Sequence, residues 1–103
     1  MELKEEIIND ISNNRIMLYM KGTKDQPMCG FSATIVKILN YYDVDFVATN
    51  VLENPNIRVE LSKYSNWPTI PQLFVEGELI GGCDIALEMH QQGQLQSVLV
   101  KKS

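Results

Sequence analysis

Apolar residues recur at helical spacing in the first forty residues of the chain, and one short apolar run interrupts them. Residues three or four apart lie on the same face of an α-helix, so this spacing predicts amphipathic helices. The first helix is expected to end near residues 13–14 and the second near Tyr41. The run Arg15–Met20 between them predicts a buried strand. The apolar helix positions are Leu3, Ile7 and Ile11, followed by Phe31, Ile35, Ile38 and Leu39.

The second half of the chain continues the alternation of strands and helices. Val44–Thr49 predicts a second strand. Asn54 followed by Pro55 predicts a helix start, because asparagine caps helix N-termini and proline is favoured at the first helical position. Gln72–Val75 and Leu79–Ile80 predict an antiparallel hairpin. Two more helices are expected, one capped by Asp84 that stops at Gly93 and a short one carrying Leu95, Val98 and Leu99.

The predicted elements follow the order α-β-α-β-α-β-β-α-α. A βαβ unit followed by a hairpin and a helix gives an α/β fold, in which helices flank a central four-stranded mixed sheet on both faces. This is the thioredoxin-like arrangement with one helix added at each end. A chain of 103 residues is expected to form one domain, spanning residues 1–103.

Composition narrows the classes of partner. The chain is 45% hydrophobic, which is enough for a core, and its net charge of −4 argues against nucleic acid. It has no run of about 18 apolar residues, so no membrane span is expected. The acidic start shows no signal or transit pattern. The expected location is the cytoplasm of a bacterial-type cell or, if a presequence has been removed, the mitochondrial matrix. Two cysteines suit such a reducing compartment.

Cys29 is the residue with the most specific chemistry. It follows the first strand and a polar loop, and it opens the second predicted helix. A helix N-terminus carries unpaired N–H groups and partial positive charge, and both favour the thiolate over the thiol. Ser32 stands where a dithiol redox motif would place its second cysteine. The sequence therefore predicts an activated thiolate that has no resolving partner nearby in the chain.

Two other segments could converge on Cys29 at the same sheet edge. Lys21, at the end of the first strand, could add a second positive charge, or it could be a solvated loop lysine. The run Trp67–Gln72 suggests a cis bond between Ile70 and Pro71. The Ile70 backbone would then be free to pair with an extended peptide, although a rigid turn is the alternative. Trp67 is expected to pack behind that turn.

A third segment and one arginine complete the candidate site. Gly82, Cys83 and Asp84 follow Gly81 and allow a close backbone approach, and the helix start there offers N–H donors to an anion. An ordinary capped turn is the alternative. Arg58 points away from the apolar face of its predicted helix and could be a solvated surface residue. Taken together, these groups suit a small, extended thiol peptide with two carboxylates, and glutathione is the obvious one.

Four motifs in this order and spacing resemble those of the monothiol glutaredoxins of the Cys-Gly-Phe-Ser class. The resemblance covers nearly the whole chain, from about Ile7 to Leu99, and is closest to the short single-domain type. It implies the thioredoxin-like fold and a cis Pro71. The motifs are Lys21-Gly22-Thr23, Cys29-Gly30-Phe31-Ser32, Trp67-Pro68-Thr69-Ile70-Pro71-Gln72 and Gly81-Gly82-Cys83-Asp84.

The resemblance also implies a ligand and a cargo. Glutathione would be held by Lys21, Arg58, the Ile70 backbone, Cys83 and Asp84, with Phe31 and Thr69 lining the groove. Family members bind a [2Fe–2S] cluster between two subunits and pass it to apo iron–sulfur recipients, often with a BolA-like partner. The expected role is therefore that of a cluster carrier rather than an enzyme, with Cys29 as the metal ligand.

Counting ligands supports the same hypothesis. A [2Fe–2S] cluster is generally held by four thiolates. Cys83 is expected beside the substrate amides and is a poor second ligand, so two chains would supply two Cys29 thiolates and two glutathiones would supply the rest. Two alternatives stay open. One is a glutathione-dependent thiol–disulfide oxidoreductase, and the other is a redox sensor with a reversible Cys29–Cys83 disulfide.

Overall fold

The structure is a computed structural model that describes residues 2–100. Within this range the helices and strands follow the predicted order, with one added 3₁₀ turn at Val51–Glu53 between the second strand and the third helix. The helices are α1 (Leu3–Asn13), α2 (Gly30–Tyr41), α3 (Pro55–Ser65), α4 (Cys83–Gln91) and α5 (Gln94–Leu99). The strands are β1 (Ile16–Met20), β2 (Val47–Asn50), β3 (Gln72–Val75) and β4 (Glu78–Gly81).

The four strands form one mixed sheet in the order β2-β1-β3-β4. β1 and β2 are parallel, as the helical crossover through α2 requires, and β3 is antiparallel to both β1 and β4. The α/β, thioredoxin-like architecture predicted from the element order is therefore confirmed.

The two faces of the sheet are covered by different helices. On β1 the side chains alternate, so that Ile16, Leu18 and Met20 face one side while Met17 and Tyr19 face the other. The first side packs against apolar residues of α2, α4 and α5, and the second against those of α1 and α3. Every residue of β1 is buried, which explains why this strand appears in the sequence as a continuous apolar run.

Several element boundaries differ from the sequence-based predictions. β2 begins at Val47 rather than Val44, because Val47 already pairs with Met17 near the start of β1 and the residues before it extend past that strand. α4 begins at Cys83 with Gly82 as its N-cap, so the prediction that Asp84 caps this helix is wrong. The helix also ends at Gln91, and Gly93 instead precedes α5.

Other boundaries agree with the predictions. The Asn54 side chain accepts a 3.1 Å hydrogen bond from the Asn56 N–H, and Pro55 opens α3. β3 and β4 form the predicted hairpin, joined at Glu76 and Gly77, whose φ angles of 51° and 84° suit a two-residue turn. None of the helices in residues 2–100 combines the length and the apolar character that a membrane span needs.

Candidate functional site

The strand pairing brings separate parts of the chain to one edge of the sheet. Tyr19 of β1 pairs with Gln72 of β3, and the two strands run in opposite directions. Lys21, just after β1, and Pro71, just before β3, therefore lie at the same end. The loop that leaves β1 there leads to Cys29 at the start of α2.

A groove with a volume of about 370 Å³ opens at this edge. All ten residues that the sequence analysis singled out line it, so the predicted convergence of these segments is confirmed. The ten residues are Lys21, Cys29, Phe31, Arg58, Thr69, Ile70, Pro71, Gly82, Cys83 and Asp84. Their predicted roles in binding are taken up below as a proposal.

Cys29 is the N-cap residue of α2, with extended backbone at φ −150° and ψ 137°. The backbone N–H of Ser32 near the Cys29 sulfur is the main reason that the pKa of the Cys29 thiol lies below its ordinary value, although the Cys29 side chain makes no capping hydrogen bond to the helix. The N–H of Phe31, the charge of Lys21 and the Ser32 hydroxyl act in the same direction, while partial burial opposes them. A lowered pKa is the direction expected for a thiol at a helix N-terminus.

Ser32 has a second part in the site. It is fully buried, and its hydroxyl oxygen accepts a 3.1 Å hydrogen bond from the backbone N–H of Lys21. The same hydroxyl is one of the causes that lower the pKa of the Cys29 thiol. Ser32 thus connects the end of β1 to the first turn of α2, a contact that the sequence analysis did not anticipate.

The start of α4 also lines the groove. Its N-cap residue Gly82 makes no side-chain cap, because glycine has no side chain, so the N–H groups of the first turn are available to a ligand. A Cβ on Gly82 would lie 3.3 Å from the Pro71 carbonyl oxygen. The absence of a side chain there lets the helix start approach the Ile70–Pro71 turn closely.

Cys83 differs chemically from Cys29 although both are free thiols in the same groove. Burial raises the pKa of the Cys83 thiol, and the negative charges of Asp84 and Cys29 add to the effect. A hydrogen bond with the Thr34 hydroxyl acts in the opposite direction. Near neutral pH, Cys29 is therefore the better thiolate and Cys83 remains a thiol.

The turn before β3 is held by one buried amide. The Gln72 side-chain Nε2 donates to the carbonyl oxygens of Trp67 and Thr69 at 2.9 Å and 3.1 Å, and Gln72 is fully buried. The Ile70–Pro71 peptide bond is cis, as predicted. Gln72 therefore fixes the backbone that presents Thr69 and Ile70 to the groove.

Two groove residues were missed by the sequence analysis. Trp67 lines the groove as well as supporting the turn, and a Cβ on Gly82 would lie 3.5 Å from its indole nitrogen. Ile85, in the first turn of α4, is the second. Trp67 is the first residue of the Trp67–Gln72 motif, and this position could have indicated that it lines the groove. Ile85 follows Asp84 directly but carries no chemical signal of its own.

The groove also limits how a metal could be held. Among residues 2–100, no three His, Cys, Asp or Glu side chains come together as a metal site. Cys29 is a half-buried soft ligand that the described residues do not surround with a protein cage.

Comparison with known proteins agrees with the fold. The glutaredoxin family model matches residues 16–80. A probable monothiol glutaredoxin 2 from Rickettsia felis is 54% identical over 95 residues, covering 92% of this chain and 91% of the relative. The solution structure of reduced poplar apo GrxS14 is 47% identical with a TM-score of 0.81, covering 91% of this chain and 86% of that one.

A more distant structure shares the fold. The crystal structure of a buckwheat glutaredoxin–glutathione complex is 21% identical with a TM-score of 0.84, and the match covers 94% of this chain and 86% of that one. The chain therefore belongs to the glutaredoxin family. Its single Cys29, with Ser32 at the resolving position, places it among the monothiol members, as the sequence resemblance indicated.

Proposed function

We propose that this protein binds glutathione in the groove and carries a [2Fe–2S] cluster as cargo. The cations of Lys21 and Arg58 suit one carboxylate, and the N–H groups at the start of α4 suit the other. Ile70 lines the same groove, and its backbone could pair with the peptide backbone of the ligand. The buckwheat glutaredoxin of the same fold was solved with glutathione, which supports this choice of ligand.

The difference between the two thiols suits the binding of a cluster as cargo. Cys29 is disposed to be a thiolate, whereas burial keeps Cys83 a thiol. Each chain then supplies one thiolate of the four that such a cluster generally has. Two copies of the chain and two glutathiones complete the set, so the proposed carrier is a homodimer that forms only when the cluster is bound.

Two of the four proposed cluster ligands are glutathione molecules rather than protein side chains, which suits a protein that delivers its cluster. Free glutathione can exchange with the bound molecules, so the cluster should be released more readily than one held by four protein thiolates. The proposed acceptors are apo iron–sulfur proteins, and a BolA-like protein could replace one copy of the chain. The named relative comes from a bacterium, and we propose the bacterial cytoplasm as the place of action.

Reconstitution without oxygen tests the proposal. Incubating the protein with iron, sulfide and glutathione should give a coloured dimer, detected by visible absorption together with the mass in solution. Without glutathione the colour should not develop. A colourless monomer in the complete mixture contradicts the proposal.

The two cysteines provide a matched pair of variants. Cys29→Ser should abolish the colour, because it removes the activated thiolate. Cys83→Ser should largely retain it, because the Cys83 thiol is not an expected ligand. Loss of colour in both variants to the same extent would contradict the proposed ligand set.

A glutathione-dependent oxidoreductase is the second candidate, and the lowered pKa of Cys29 favours it. The Cys29 thiolate would attack the glutathione sulfur of a mixed disulfide, forming Cys29–S–S–glutathione and releasing the other thiolate. A second glutathione thiolate would then form oxidised glutathione and restore Cys29. A mixed-disulfide turnover assay distinguishes the oxidoreductase from the cluster carrier. Rapid turnover by the cluster-free protein would favour the enzyme.

The redox-sensor alternative uses the two cysteines that share the groove. A Cys29–Cys83 disulfide would form by loss of two hydrogens to an oxidant such as a peroxide. Mass analysis under non-reducing conditions after mild oxidation tests it. A loss of two hydrogens within one chain supports the sensor, and an unchanged mass counts against it.

A further inference from the structure

The strand β2 lies at one edge of the sheet, because the strand order is β2-β1-β3-β4. One side of its backbone pairs with β1, and within residues 2–100 no strand pairs with the other side. An exposed strand edge can pair with an extended chain, so natural proteins cover or shorten such edges. The extent to which β2 is covered therefore bears on whether it can bind a partner.

The hydrogen-bond register shows which backbone groups lie on the open side of β2. The Glu76 N–H donates to the Arg15 carbonyl at 2.7 Å, so the backbone of Arg15, just before β1, faces β3. Backbone groups alternate in direction along a strand, so those of Leu18 face β2. In a parallel pair, such a residue bonds to the two residues that flank the one opposite it. Ala48 lies opposite Leu18, and its N–H and C=O groups therefore point away from β1.

The loop before Cys29 covers only one end of this open edge. The Lys24 ammonium donates a hydrogen bond to the carbonyl of Phe46, two residues before Ala48. It also lies 4.0 Å from the centroid of the Phe46 ring, within the range of a cation–π contact. Lysine at an edge strand is one of the ways in which natural proteins prevent unwanted pairing. In the described part of the chain no backbone hydrogen bond reaches the outward groups of Ala48, so this protection stops short of them.

Ala48 instead borders a second groove, which we call the edge groove. Its volume is about 410 Å³, and it is lined by residues 22–25, residues 48–50 and Glu53. The loop forms one wall and β2 the other, so the open backbone of β2 lies in a cleft rather than on a flat surface. The edge groove shares no lining residue with the groove at Cys29. It is therefore a separate candidate site.

The charges in the edge groove favour a basic occupant. Asp25 lies on the loop wall and Glu53 just beyond β2, and both are exposed carboxylates. Neither forms an ion pair with another residue in the range 2–100. The only cation in the lining, Lys24, contacts Phe46 at the opposite end of β2 from Glu53. A lysine or arginine from a partner would therefore meet two unpaired negative charges.

We propose that the edge groove binds an extended segment of a partner protein, which pairs its backbone with Ala48 and places a lysine or arginine beside Asp25 and Glu53. The segment would add a fifth strand to the sheet. In this kind of recognition, main-chain hydrogen bonds give affinity and side chains give selectivity. The segment would be short, because the Lys24 contact closes one end of the edge. The proposal does not rest on the function proposed above, since it uses no residue of the groove at Cys29.

Short peptides test the backbone pairing. The probe is an acetylated and amidated pentapeptide in which a central lysine is flanked on each side by valine and threonine. In an amide NMR titration of the full chain it should shift the signals of residues 22–25 and 48–53, and it should slow hydrogen exchange at the Ala48 amide. A second peptide carries N-methyl groups on two consecutive amides, one at each edge of its extended backbone. It should bind about tenfold more weakly, because it loses hydrogen bonds to β2.

Substitutions test the charge preference. Asp25→Asn combined with Glu53→Gln should weaken binding of the lysine peptide about fivefold. Glu5→Gln combined with Glu78→Gln is the matched control, because it removes two charges at exposed positions on α1 and β4. The control should leave the affinity unchanged. A peptide with glutamate in place of lysine should bind the unsubstituted protein more weakly than the lysine peptide does.

Several outcomes would overturn the proposal. Signals that do not shift in the edge groove, or that shift along β4 instead, exclude β2 as the binding edge. Equal binding of the N-methylated peptide excludes backbone pairing, and equal binding by the two double variants excludes selection by Asp25 and Glu53. The titrations contain neither glutathione nor metal, so failure of the protein to bind glutathione counts against the proposed function alone.

Discussion

The backbone N–H of Lys21 donates a 3.1 Å hydrogen bond to the hydroxyl oxygen of Ser32. This bond joins the end of β1 to the first turn of α2, across the loop that precedes Cys29. Ser32, which stands where a dithiol motif has its resolving cysteine, therefore also has a structural role. It holds the end of β1 to the helix that begins at the remaining thiol.

Ser32→Ala should affect both stability and the thiol. The Lys21 N–H loses its acceptor, and leaving a partly buried donor unpaired costs about 1–2 kcal/mol of the free energy of unfolding. The pKa of Cys29 should rise toward its ordinary value, yet stay below it, because the Ser32 backbone N–H remains. Urea unfolding and alkylation at several pH values measure the two effects. Ser12→Ala, at an exposed serine on α1, is the control and should leave both unchanged.

The two cysteines should be alkylated in a fixed order as pH rises. The thiolate is the reactive form, so a thiol with a lowered pKa reacts at a lower pH than one with a raised pKa. Cys29 should therefore react with iodoacetamide at a lower pH than Cys83, which should react only at clearly alkaline pH. Peptide mass analysis at intervals gives both rates. Equal rates at neutral pH would show that the two thiols do not differ as described.

Gly22→Ala should destabilise the protein more than Gly77→Ala. Both glycines have positive φ, 90° and 84°, so alanine is strained at either position by about 1–2 kcal/mol. A Cβ on Gly22 would also lie 2.5 Å from the Gln26 carbonyl oxygen, whereas a Cβ on Gly77 meets nothing within 4 Å. The added crowding should bring the loss at Gly22 to about 3–5 kcal/mol. Equal shifts in the urea midpoint would contradict the crowding argument.

Arg58→Gln should weaken glutathione binding by about fivefold, since an exposed charge pair contributes up to about 1 kcal/mol. Lys63→Gln, on the same helix, is the matched control, because Lys63 is exposed and lies 3.7 Å from Glu60 rather than in the groove. Isothermal titration with glutathione measures both affinities. The expected difference should shrink as salt is added. If both variants lose affinity equally, Arg58 acts only through net charge.

Much of the fold followed from patterns that are local in the chain. The continuous apolar run of β1 and the helical spacing of Ile7 and Ile11 reflect burial on the faces of single elements, which neighbouring residues alone reveal. Asn54 and Pro55 marked the start of α3 because capping depends on adjacent backbone groups. The starts of β2 and α4 were not found this way. β2 begins where its pairing with β1 begins, and Gly82 caps α4 although glycine carries no capping side chain.

The sequence by itself determined which residues have the chemistry of the site, because a thiol at a helix start, a cation after a strand and paired glycines are each visible in a few consecutive letters. Only the tertiary structure decided what each of them contacts. It placed Cys83 where partial burial and the charge of Asp84 raise the pKa of its thiol, whereas the pKa of Cys29 is lowered, and it placed Trp67 and Ile85 in the groove. It also bonded Ser32 to Lys21 and Lys24 to Phe46. Such contacts join residues distant in the chain, so they depend on how the helices and strands pack rather than on any local pattern.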